Sequence, residues 1–196
     1  MMMRSKFATR APRALKAHYA RLIADRSGTS LVEFAVLLPL MLVMYFGSIQ
    51  ITDAISADRQ VTLVASTVGE ITSQYSNVAT SDISNILSAS SAVLAPFPAA
   101  NATVTLSFVC IDANSKATIL WSQSFQGTAR ATGATVTSLI PAGLLVANTA
   151  AIWGEATYSY KPVIGWVITG VLPMYDQIFL RPRQSASIPL NGGPTC

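Results

Sequence analysis

Gly28-Thr29-Ser30-Leu31-Val32-Glu33-Phe34 opens an apolar run that continues to Ile51 with Glu33 as its only charged side chain. At 1.5 Å per residue, residues 31–51 form a helix long enough to cross a hydrocarbon core of about 30 Å. A carboxylate at mid-bilayer costs roughly 2.5–3.5 kcal/mol, and less near the interface, so Glu33 calls for a partner or a purpose. Before the run stand Arg4, Lys6, Arg10, Arg13, Lys16, Arg21 and Arg26 against one acid, Asp25. That excess predicts a cytoplasmic amino terminus, a single span and an exported remainder. A secretory signal places its small-residue cleavage site after the apolar stretch, whereas Gly28 lies before this one. Cleavage at Gly28 would leave the anchor on the product.

A glycine, four residues, then Glu33-Phe34 and a long apolar helix resemble the processing site of type IV-like prepilins. The chain is most similar there to the TadE/TadF minor pilins, or pseudopilins, of the tight-adherence (Flp) pilus system. The resemblance implies a prepilin peptidase that cuts after Gly28, making Thr29 the first residue and Glu33 the fifth. It implies an inner-membrane subunit with a periplasmic domain, whose partners are pilin and other minor pilin subunits, the inner-membrane assembly machinery and the bilayer. Pro39 interrupts the backbone bonding of the span, and Gly47 is a second soft point. By resemblance, Pro39 lets the helix deform as subunits leave the membrane for a filament; a proline merely tolerated in a span is the alternative. A weaker likeness covers residues 152–190, through Tyr158-Ser159-Tyr160-Lys161-Pro162 and Arg181-Pro182-Arg183.

Charge reinforces this division. Seven of the thirteen basic residues precede Thr29; residues 29–196 hold six Lys or Arg and eight Asp or Glu, a net charge of −2. The basic isoelectric point therefore belongs to the leader, and no nucleic-acid partner is expected. The organisation read from the sequence is a cleaved leader (1–28), a long helix (29–75) and one exported domain (76–196).

Within 29–75 the helical pattern outlasts the span. Ala54, Ala57, Val61, Val64, Val68, Ile71 and Tyr75 recur at spacings of three and four, and the charged side chains fall largely off that stripe. The stripe packs on its own domain, on a neighbouring subunit, or on both. Ser81-Asp82 are expected to cap a short helix ending before Pro96. Alternation predicts a strand over 103–110, turned by 112–116 into a second strand around Ile119 and Trp121, and further strands at 151–160 and 186–190. Residues 126–148 are rich in breakers and unassigned. The apolar run 162–180, with two prolines, two glycines and Asp176, reads as a buried or partner-facing loop rather than a second span; Trp166 with Val163, Ile164, Val167 and Ile168 packs into the core or, if exposed, meets lipid or a neighbouring subunit. The expected fold is α+β and pilin-like: a long amino-terminal transmembrane and amphipathic helix, then a small antiparallel sheet.

Catalysis finds little support. His18, the only histidine, lies in the leader, and no nucleophile elbow, phosphate loop or dinucleotide fingerprint appears. No cofactor is expected. Two cysteines, Cys110 and Cys196, are too few for a metal cage. An oxidising compartment makes them a candidate disulfide, with two inert thiols as the alternative. Cys110 is expected to face the core with Phe108. Two rival functions remain: an uncleaved single-span periplasmic binding or adhesive domain, and a minor pseudopilin of a type II-like secretion system.

Overall fold

The computed structural model describes residue 21, residues 27–162 and residues 169–196. His18, the leader basic residues other than Arg21, and Val163, Ile164, Trp166, Val167 and Ile168 lie outside the described residues. The chain forms two compact units, residues 1–47 and residues 48–196.

In the first unit the described residues 27–47 belong to helix α1 (Ser27–Ser73). Its side chains from Gly28 to Tyr45 are exposed, with Leu31, Val36 and Met44 at 74%, 70% and 68%. Apolar exposure on that scale, along a helix long and apolar enough to span a bilayer, suits lipid rather than water.

The second unit begins with the remainder of α1. Ala57, Val61, Val64, Ala65 and Val68 are fully buried on one face, so the three-and-four stripe packs on the chain's own domain. Helix α2 (Thr80–Ala92) follows and buries Ile83, Ile86 and Leu87. Its cap differs from expectation: Ala79 is the N-cap, and Asp82 accepts the Ala79 N–H at 3.2 Å. Ser81 and Asp82 lie inside the first turn, where the acid also complements the helix dipole.

Four strands form one antiparallel sheet in the order β2-β1-β3-β4: β1 (Ala102–Ile111), β2 (Ala117–Phe125), β3 (Thr149–Tyr160) and β4 (Leu172–Leu180). The β1–β2 turn is held by Asp112, whose Oδ1 accepts the N–H groups of Asn114 (2.8 Å) and Lys116 (2.9 Å). Val109 pairs with Ile119 although Phe108 pairs with Trp121, which leaves Leu120 as an extra residue on β2. This bulge lets Trp121 stack on Phe108 at 5.7 Å in the helix-covered core while Ile119 serves the opposite face.

Both helices cover one face of the sheet. The segment 126–148 covers one end of the other face, where two short 3-10 turns, Thr137–Leu139 and Ala142–Leu144, flank Ile140, buried with Val136 against Val109, Ile111, Ala117 and Trp153.

Two expectations need correction. The fourth strand is Leu172–Leu180, inside the run read as a loop, and residues 186–190 form no strand. Pro173 is tolerated because β4 is an edge strand near its start. The tail 183–196 is instead an irregular strap with one isolated parallel bridge, Val78 to Leu190. Val78 donates to the Pro189 carbonyl, Asn191 donates back to Val78, and the Trp121 indole donates to the Ile188 carbonyl at 2.7 Å. Ile188, within the strap, is fully buried in the helix-covered core.

One close approach fixes α1 on the sheet. A Cβ built on Gly154 in β3 would lie 2.7 Å from the Ala65 carbonyl oxygen and 3.6 Å from the Gly69 nitrogen. The helix backbone therefore rests directly on the strand, which only glycine permits.

Candidate functional site

Gly28 and Thr29 occupy the first turn of α1, and among the described residues no group outside the adjoining chain and helix backbone lies within 4 Å of a Cβ built on Gly28. A peptidase that reads an extended chain must unwind this turn, and glycine lowers the cost by about 1 kcal/mol relative to alanine. Thr29 and Glu33 stand four residues apart, on one helix face. Glu33 and Phe34 are exposed, Phe34 by 59%, so the carboxylate is presented outward from an apolar surface rather than folded into this chain's core. The helix continues through Pro39, which lacks the amide that would bond the Ala35 carbonyl. Gly47 marks the division between the two compact units.

Away from this segment, the structure joins Cys110 and Cys196 in a disulfide, with Cα atoms 5.5 Å apart. Cys110 is only half-buried, at the rim of the sheet, rather than in the core with Phe108. The bridge fastens the strap to β1, and the Cys196 N–H donates to Ser187 Oγ at 3.1 Å. With the two cysteines 86 positions apart in sequence, loop-closure entropy allows about 4–5 kcal/mol of stabilisation. The protein denatured without reductant is accordingly expected to show no reactive thiol, and reduction to lower its melting temperature. Stoichiometric alkylation of both cysteines without reductant would exclude the bridge.

A further strap contact is Arg183, part of the weaker likeness. Its guanidinium pairs with Glu70 at 2.7 Å and its N–H donates to the Ser73 carbonyl at 3.0 Å, closing the end of α1. An exposed pair of this kind contributes little by itself. The backbone bond satisfies one of the helix's terminal carbonyls.

A polar cluster on the open face of the sheet was not legible from sequence. Glu155 accepts two hydrogen bonds from Arg130, at 2.7 and 3.0 Å, and a third from the Tyr175 hydroxyl at 3.0 Å. Arg130 stacks 4.0 Å from the centre of the Trp153 ring, whose indole donates to Gln177 at 3.0 Å. Each of these side chains has a partner, so the cluster is a satisfied polar network. Loss of hydration and the adjacent Glu155 carboxylate push the Tyr175 hydroxyl up to about 12 from an ordinary 10.0. The folded state thus holds this proton more tightly than the unfolded chain. Its contribution is complete below about pH 10 and is lost as pH rises toward 12. An absorbance titration at alkaline pH is expected to show a late-ionising tyrosine that disappears in Tyr175→Phe; an unchanged titration curve would contradict the Glu155 contact.

Among the described residues, no group of three or more His, Cys, Asp or Glu side chains is placed to hold a metal ion. The acids Asp53, Asp58, Glu70, Asp82, Asp112, Glu155 and Asp176 are not gathered into such a group.

Comparison with known families finds a match over residues 28–69 to the model described as TadE-like protein. The matched stretch opens at Gly28 and takes in Glu33, Pro39 and most of the buried stripe of α1; residues 152–190 lie outside it. No curated protein and no solved structure matches the chain.

Proposed function

From the TadE-like segment at residues 28–69, we propose that this chain is a minor pilin or pseudopilin of a tight-adherence (Flp) pilus, matured by a prepilin peptidase at Gly28. The observation that carries this reading is the junction itself: Gly28, then Glu33 in an apolar helix, at the start of the matched stretch. Seven basic residues before the cut hold the amino terminus in the cytoplasm, so the sheet domain enters the periplasm on an inner-membrane anchor. There the chain helps initiate or assemble the filament. Its partners are the peptidase, pilin and other minor pilin subunits, the inner-membrane assembly machinery and the lipid bilayer. No catalytic role or cofactor is assigned to it.

Glycine at position 28 lets the backbone leave the helix and pass close to a protease, whereas a β-branched side chain resists both. In a strain with active prepilin peptidase, Gly28→Val is expected to accumulate the longer precursor while wild type yields the shorter product, as read on a blot against the periplasmic domain. Equal processing of the two would remove Gly28 from the cleavage site.

A further inference from the structure

A cavity of about 610 Å³ opens in the second unit between residues 53–60 of α1, residues 96–101 and the end of β3. Its size falls within the ordinary range of small-ligand sites. Three aromatic rings border it: Phe97 lies 6.2 Å from Tyr158 and 6.1 Å from Tyr160. Two opposite charges, Asp53 and Lys161, also line it, and both are exposed. Tyr158 and Tyr160 are buried behind the partly exposed Phe97, so Phe97 and the Asp53 carboxylate face an ammonium and Lys161 faces an anion.

The level of the cavity along the helix decides among ammonium ligands. Asp53 stands two residues beyond Ile51, where the apolar run ends, or about 3 Å along the helix axis. The Asp53 side of the cavity therefore stands at the level where the hydrocarbon core gives way to headgroups. We propose that this cavity binds the headgroup of a zwitterionic phospholipid carrying a primary ammonium, phosphatidylethanolamine, with the ammonium against Asp53 and Phe97 and the phosphodiester against Lys161. An anionic headgroup without an amine gains only the lysine and meets Asp53 with like charge. The inference rests on residues 31–51 being membrane-embedded.

The test uses full-length mature protein, extracted from washed membranes in mild detergent and equilibrated with equimolar phosphatidylethanolamine and phosphatidylglycerol before native mass spectrometry. Wild type is expected to retain phosphatidylethanolamine about tenfold over phosphatidylglycerol, the scale of one ammonium contact with a carboxylate and a ring. Asp53→Asn should abolish the preference, and Lys161→Ala should weaken retention of both lipids while preserving it. Both side chains are exposed, so near-ultraviolet circular dichroism should match wild type. Equal retention of the two lipids by wild type, an unchanged preference in Asp53→Asn, or a bound peptide in place of lipid overturns the headgroup site and leaves the anchor standing. Release of the protein from alkaline-washed membranes overturns the anchor and the headgroup site together.

Discussion

Glu33→Gln is expected to leave the protein inserted and processed while reducing surface pili to few or none. The carboxylate is exposed on an apolar helix surface, and leaving it unpaired there costs several kcal/mol of insertion energy at worst. Cleavage after Gly28 would place the new amine of Thr29 on the same helix face, four residues away, and every neighbouring subunit would bring an amine of its own. A carboxylate–ammonium contact formed between chains fixes their register, because each charge left without its partner in the apolar layer is strongly unfavourable. Glutamine preserves size and polarity but removes the charge, which separates pairing from packing. Pili are counted in a strain whose sole copy carries the substitution, with mature protein confirmed by blot. Wild-type piliation there would reduce Glu33 to a residue that snorkels to the headgroups or favours the helix amino terminus electrostatically.

Gly154→Val is expected to lower the stability of the sheet domain by about 3 kcal/mol, or a fall of about 10 °C in melting temperature. Valine is a better strand former than glycine, so at an ordinary strand position the substitution would stabilise. At Gly154 the added carbon meets the Ala65 carbonyl at 2.7 Å and Ile178 at 3.3 Å, and a backbone oxygen cannot swing aside as a side chain does. Relief requires α1 to lift from β3, opening the core formed by Val61, Val64, Val68, Ile152 and Ala156. Gly69→Ala meets chiefly the flexible tip of Leu180 and should cost less. Thermal unfolding of the full chain in detergent, followed by circular dichroism, reads both; a melting temperature at or above wild type for Gly154→Val would show that the helix does not bear on the strand.

The legible parts of the sequence were those whose signal is local. The three-and-four stripe of α1 marked the buried face because a helix brings those positions into line, and the alternation of Val104, Leu106 and Phe108 marked β1 because a strand does the same with period two. Strand β4 was hidden by Pro173 and Asp176, residues that an edge position tolerates and a central strand does not. Ala186, Ile188 and Leu190 alternate as a strand would, yet the tail finds its bonds one at a time, on Val78, Trp121 and Thr80. Arg130, Glu155 and Tyr175 meet only through sheet register and the path of a loop, which no local pattern encodes. Gly154 did carry a signal: an isolated glycine within an alternating strand marks a close backbone approach. The segment matched by the TadE-like model, residues 28–69, was the most legible of all, since its pattern depends on residue order along a single helix rather than on residues brought together by folding.

Peptidase processing is the step on which the proposed role depends most directly. Protein extracted from membranes of a strain with active prepilin peptidase, and weighed intact by mass spectrometry, is expected to correspond to residues 29–196 beginning at Thr29. A species that retains Met1, or that begins at any other residue upstream of Thr29, would contradict a peptidase-matured pilin and leave an uncleaved, single-span periplasmic domain in its place.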